Sequence, residues 1–212
     1  MIINFDSDLP IDIGSITKIL SGGRKTSGLS QKSLDQVTIL SKTAKKLFHP
    51  RVVYDIFDKN ELPPLPYFKE ADQVALSVCT IGEELPNKVV SLFKEGKLVE
   101  GTILDAIGSI AADALADKIN AKINEFASKN SLQTTLRYSP GYCSWALNGQ
   151  SVIFDLLSVD SIKVTLTESC LMVPVKSVSF AVNIGLNVSK SNWENRCRTC
   201  RKICGYRRYD YE

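Results

Sequence analysis

The chain has 212 residues, 44% of them hydrophobic and 23% charged, with a formal charge of +3; this is enough for one substantial core or two small ones. So small a charge, spread along the chain, excludes the strongly basic surface of a dedicated nucleic-acid-binding domain. Six cysteines against one histidine make His-rich zinc sites and Ser-His-Asp chemistry poor candidates, because His49 would have to carry either alone. Its setting in Leu47-Phe48-His49-Pro50, at a helix end, gives it a structural role instead.

The N-terminus places Asp6 and Asp8 where a signal peptide needs a positive region and then an apolar run, so secretion is not supported. The most apolar stretch, residues 103–116, is broken by Asp105 and Asp113, and no uncharged run reaches the roughly 18 residues of a membrane span. The expectation is a cytoplasmic, reducing environment without membrane contact, where clustered cysteines are more often metal ligands than disulfides.

In chain order, residues 1–60 read as a strand around 2–5, a loop, a helix and a second strand. The Gly- and Ser-rich segment 21–28 is not a P-loop: with Lys25 as the lysine, the two required glycine places hold Arg24 and Ile19. Leu34, Val37, Leu40, Ala44 and Leu47 trace one face of a helix over 33–48. Pro50 stops it, and 51–56 reads as a strand. Leu62-Pro63-Pro64-Leu65-Pro66 is an extended connector. The β-rich run 74–81 has the length of a buried strand closed by Gly82, and helices over 85–95 and 101–126 follow. The second is a core helix whose Gly108, Ser109, Ala111 and Ala112 admit close neighbours.

Beyond residue 130 the texture changes to strands and turns: 132–138 strand, Pro140-Gly141 turn, 151–157 short helix, then strands over 162–166 and 177–186. Strands and helices without a βαβ rhythm predict a single α+β domain with a twisted, largely antiparallel sheet packed by helices. Residues 1–49 form an N-terminal extension of that domain, 50–190 its core, and 191–212 a Cys-rich basic tail.

Arg137-Tyr138-Ser139-Pro140-Gly141-Tyr142 is the most informative segment. A guanidinium is a planar fork suited to a carboxylate, Pro-Gly makes a turn whose backbone can lie against a ligand, and the tyrosines offer aromatic faces. Composition alone reads it as a strand-to-turn junction with an exposed arginine. In the apolar stretch 166–180, Glu168 must be exposed or find a partner, because burying it unpaired is costly. It serves either a ligand hydroxyl or ammonium, or an ordinary salt bridge.

These two segments resemble the activation domain of cobalamin-dependent methionine synthase, in which R-x-x-x-G-Y is matched by Arg137, Gly141 and Tyr142, and L-T-E-S by residues 166–169. The likeness to stand-alone activation proteins is closer still, through Thr80-Ile81-Gly82, residues 103–109, Trp145 with Leu147 and Gln150, and residues 172–179. The resemblance runs from about residue 50 to the tail. It implies S-adenosylmethionine held over the cobalamin of a partner, so that one-electron reduction of inactive cobalt(II) is trapped by methyl transfer. The implied partners are the cobalamin module of methionine synthase or another corrinoid protein, and an electron donor. Such a protein contributes positioning to an already activated donor, so no catalytic acid or base is assigned. The resemblance implies that Arg137 holds the methionine carboxylate, that Gly141 permits close backbone approach, that Tyr142 and Glu168 contact the ligand, and that Ser139 and Pro140 belong to the same binding segment.

Cys197, Cys200 and Cys204 form a C-x2-C-x3-C cluster amid six basic residues. Radical S-adenosylmethionine enzymes use the opposite order. Three thiolates suit a zinc with a fourth ligand or an iron–sulfur cluster with one open iron; redox-active thiols and a basic docking tail are the other readings. The second functional reading is therefore a non-catalytic metal- or iron–sulfur-binding adaptor that docks on a corrinoid protein.

Overall fold

In the computed structural model the described residues are 2–4, 6, 8–21, 30–142 and 145–188. Their elements in chain order are β1 (Ile2–Asn4), α1 (Ile13–Leu20), α2 (Gln31–Lys45), β2 (Arg51–Asp58), β3 (Gln73–Thr80), α3 (Glu84–Lys94), α4 (Leu98–Lys129), β4 (Gln133–Thr134), α5 (Gly149–Leu156), β5 (Thr165–Leu166), β6 (Met172–Val173) and β7 (Ser177–Gly185). The main sheet has the order β1-β2-β3-β7-β4, and every neighbouring pair is antiparallel. β5 and β6 form a separate hairpin. The expected α+β class with an antiparallel sheet is what the chain adopts.

Seven of eight residues in β3 and seven of nine in β7 are buried, because both faces of the sheet are covered. Antiparallel sheets commonly leave one face in water and then alternate; here alternate residues feed two cores. Ala75, Cys79, Phe180, Val182 and Ile184 join α4 and the N-terminal helices. Val74, Leu76, Val78 and Ala181 join Phe68, Tyr138, Trp145, Ile153 and Ile162. Ile107, Leu115, Ile119 and Ile123 of α4 are fully buried. At about 1.5–3 kcal/mol each, they outweigh the roughly 1 kcal/mol that a glycine in a helix interior costs.

The two aspartates that interrupt the apolar run of α4 both meet cations from the sheet side. Asp105 pairs with Lys176 at 2.7 Å, whose ammonium also donates to Ser109 at 2.9 Å, and Asp113 pairs with Arg137. Near the same end of the sheet the His49 backbone N–H donates to the Ile81 carbonyl at 2.8 Å, and its ring meets Glu84 at 2.9 Å, in keeping with a structural role.

Four expectations are corrected. Helix α1 is absent from the sequence reading, although Ile13, Ile16 and Leu20 recur at helical spacing; its start rests on Asp12, whose carboxylate accepts from Gly14 and Ser15. The strand over 132–138 shrinks to β4 and a single bridge, Tyr138 to Ala181, because the Thr135 hydroxyl takes the Asn183 N–H that would otherwise stay in the ladder. Residues 162–166 retain only β5, preceded by a tight 3-10 turn at Val159–Ile162 that ends on Lys163 in the left-handed region, φ 57°. α2 begins under the cap of Ser30, which accepts from Ser33, and ends three residues earlier than periodicity alone suggests.

Candidate ligand site

The segment after β4 runs beside β7. Thr135 and Tyr138 bond to the β7 backbone at Asn183 and Ala181, and successive side chains turn to opposite faces. Arg137 goes to the α4 face, with its guanidinium carbon 5.8 Å from the centre of the Phe180 ring. Its side chain is only 6% exposed. Its Nε donates to Asp117 at 2.9 Å and its Nη2 donates to Asp113. These acids lie one turn apart on α4, the spacing at which side chains share a face. Burial opposes the charge on Arg137, but Asp113 and Asp117 outweigh it, holding the guanidinium pKa above its usual value. Both carboxylates are half-exposed, 51% and 62%. A buried cation is thus bordered by two acids that face solvent.

Tyr138 goes to the other face. Its hydroxyl donates to Asn183 Oδ1 at 3.1 Å, and Asn183 Nδ2 donates to the Tyr67 carbonyl at 2.7 Å. Tyr67 stacks on Trp145 with centroids 5.3 Å apart, and Phe68 meets Trp145 edge-on at 6.0 Å. This aromatic group backs the turn. The Gly141 N–H donates to the Trp145 carbonyl at 2.8 Å, and the Trp145 N–H returns to the Tyr142 carbonyl at 3.0 Å. Gly141 has φ +88°, a conformation that side chains with a Cβ rarely adopt. Ser139 is half-buried, Pro140 is buried and Tyr142 is 57% exposed. The turn therefore presents backbone and an aromatic ring to solvent, just after the segment that carries Arg137.

Glu168 belongs to a different element. It is exposed in the β5–β6 turn, which Thr167 closes by accepting the Leu171 N–H and by bonding Ser169 through its hydroxyl. Exposure answers the question that its apolar neighbourhood raised. Cys79 is fully buried, and burial pushes its thiol up to about 12, which leaves it a core residue. Cys197, Cys200 and Cys204 lie outside the described residues; among the described residues no group of three or more His, Cys, Asp or Glu could hold a metal. No helix among them is long and apolar enough to cross a membrane.

The composition reading of Arg137 as exposed is overturned, since α4 and Phe180 enclose it. Asp113 and Asp117 did not figure among the candidates. Their signal is a pair of acids four apart on one helix.

A family model described as "Vitamin B12 dependent methionine synthase, activation domain" matches residues 67–190, a span that includes the Arg137 group, the Gly141–Tyr142 turn and Glu168. No curated protein sequence matches the chain. Among solved structures, the chain is similar to one titled "Crystal Structure of the MetH Reactivation Domain bound to AdoHcy", with TM-score 0.64, 15% identity, and coverage of 89% of this chain and 79% of that one. At that identity the likeness speaks for the fold.

Proposed function

The chain belongs to the family of vitamin B12-dependent methionine synthase activation domains, and on that premise we propose that it binds S-adenosylmethionine and presents the methyl group to cobalamin carried by the cobalamin module of methionine synthase or a related corrinoid protein. The observation that carries this reading is the buried Arg137 edged by half-exposed Asp113 and Asp117, in the segment that leads directly into the open turn of Gly141 and Tyr142. S-adenosylmethionine brings a carboxylate, an ammonium and a sulfonium, chemistry that suits a group of mixed charge followed closely in the chain by an exposed aromatic residue. The solved relative's title names S-adenosylhomocysteine, the demethylated form of the same molecule.

When bound, S-adenosylmethionine supplies an activated methyl group, and the partner supplies the reduced cobalt that accepts it. This chain's residues bind and orient. Arg137, whose Nε and Nη2 donate to Asp117 and Asp113, exchanges that pairing for the ligand carboxylate on binding, and its packing by Phe180 keeps the side chain in place. Asp113 and Asp117 offset the positive charges of the ligand. Gly141 lets the backbone approach, and Tyr142 lies against the ligand. Glu168 contributes from the β5–β6 turn. Held so, donor and acceptor react as if within one molecule, which is where rate enhancement by positioning arises. Cys197, Cys200 and Cys204 are proposed as the ligands of an iron–sulfur cluster or zinc.

Calorimetric titration of S-adenosylmethionine into the full chain tests the reading. Saturable one-to-one binding is expected, displaced by S-adenosylhomocysteine and weakened at least tenfold, about 1.4 kcal/mol, in Arg137→Ala. Absence of binding to the chain, both alone and with a cobalamin-loaded partner, would reject it.

A further inference from the structure

Gly149 opens α5, outside every segment assigned above to the ligand, yet it has the tightest surroundings of the described glycines. A Cβ placed there would overlap the Nε1 edge of the Trp145 indole, 2.8 Å from Cδ1 and 2.9 Å from Cε2. Real Cβ contacts essentially never come so close, so any side chain at this position forces one of the two to move. The indole has little freedom to do so cheaply. Trp145 is 5% exposed, stacks on Tyr67, and has Phe68 and Tyr138 at 6.0 and 5.1 Å. Its backbone is the clamp on the turn, accepting from Gly141 and donating to the Tyr142 carbonyl.

From this chain of contacts we infer that Gly149 is a positioning residue for the ligand turn: its missing side chain seats Trp145 in the aromatic group, and the seated Trp145 fixes the Gly141 and Tyr142 backbone. The inference rests on the proposal that the turn binds S-adenosylmethionine, but the coupling itself has a readout that needs no ligand. Gly149 is the first residue of α5 and its φ lies outside the left-handed region, so its backbone does not by itself exclude alanine and the contact with Trp145 carries the effect.

The experiment uses the full chain in a Trp193→Phe background, which leaves Trp145 as the sole one of its two tryptophans. Gly149→Ala is expected to red-shift Trp145 emission, to speed hydrogen exchange at the Gly141 amide at least tenfold, and to weaken S-adenosylmethionine binding about tenfold. In a Trp145→Leu background, where the indole is gone, the same substitution is expected to change neither exchange nor affinity further, the non-additivity that contact between two residues produces. Should Gly149→Ala fail to fold, Trp145→Leu alone must speed Gly141 exchange while the cooperative thermal transition survives. Exchange at Gly141 that is unchanged in Gly149→Ala, or effects of the two substitutions that simply add, would overturn the inference. A wild-type chain that shows the exchange coupling but does not bind S-adenosylmethionine would overturn the ligand assignment and leave the coupling standing.

Discussion

Replacing Arg137 separates what the site does for stability from what it does for the ligand. Arg137→Ala deletes two charge-assisted hydrogen bonds and a side chain that is only 6% exposed. Such bonds contribute about 1.5–3 kcal/mol each when both partners are desolvated, but Asp113 and Asp117 are 51% and 62% exposed and recover water once the guanidinium is gone. A discounted value of about 1 kcal/mol for the pair is the better estimate. The buried methylenes of the stem add about 2 kcal/mol at roughly 0.8 per group. The total of about 3 kcal/mol lowers Tm by about 6–12 °C, at about 2–4 °C per kcal/mol for a chain of this size. Arg137→Lys keeps the charge and most of the stem, so its ligand-free Tm falls by only about 2–4 °C. It nevertheless loses the planar fork that suits a carboxylate. Scanning calorimetry with and without S-adenosylmethionine at about a hundred times Kd reads both effects, since a native-state ligand at that excess stabilises by about 2.7 kcal/mol, or about 5–11 °C. Both variants are expected to lose about half of that ligand shift or more, since a tenfold weaker Kd leaves about 1.4 kcal/mol. An Arg137→Lys protein that retains it in full would refute the assignment of Arg137 to the ligand.

Two further outcomes follow from named groups. Cys79, buried and pushed up to about 12, should stay unmodified by iodoacetamide at pH 8 in the native protein and react only in denaturant, as peptide mass mapping would show; labelling in the native state would contradict its place in the core. Asp8 is held below its usual value by its hydrogen bond to Lys45, Asp12 by bonds from Ser15 and Gly14, Glu95 by Lys97 and Ser91, and Glu125 by Lys129. Because the unfolded chain takes up these protons first, the stability they give is present above the ordinary carboxylate range and is lost as pH falls through it. Chemical denaturation midpoints should therefore drop between pH 5 and pH 3, and a midpoint that rises over that interval would contradict the sign.

The parts of the fold that were legible in the sequence are those with strong local patterns. The run around β3 is long and β-branched, α4 repeats its apolar residues over many turns, and Pro140-Gly141 announces a turn that the structure closes on Gly141 at φ +88°. Illegible parts depend on partners distant in sequence. Arg137 looks exposed until α4, some twenty residues earlier, supplies Asp113 and Asp117. Residues 132–138 look like a full strand until the Asn183 backbone N–H meets the Thr135 hydroxyl instead of continuing a ladder. α1 depends on one capping aspartate. Gly149 in Gly-Gln-Ser-Val is an unremarked helix start until the Trp145 indole is seen to occupy the space of its side chain.

Reconstitution of the proposed reaction tests the central claim most directly. The full chain, a cobalamin-loaded methionine synthase core trapped as cobalt(II), a reductant and S-adenosylmethionine are combined, and the corrinoid spectrum is followed. Methylated cobalamin should form only when this chain and S-adenosylmethionine are both present, and much more slowly with Arg137→Ala. Equal rates with and without the chain would contradict the account.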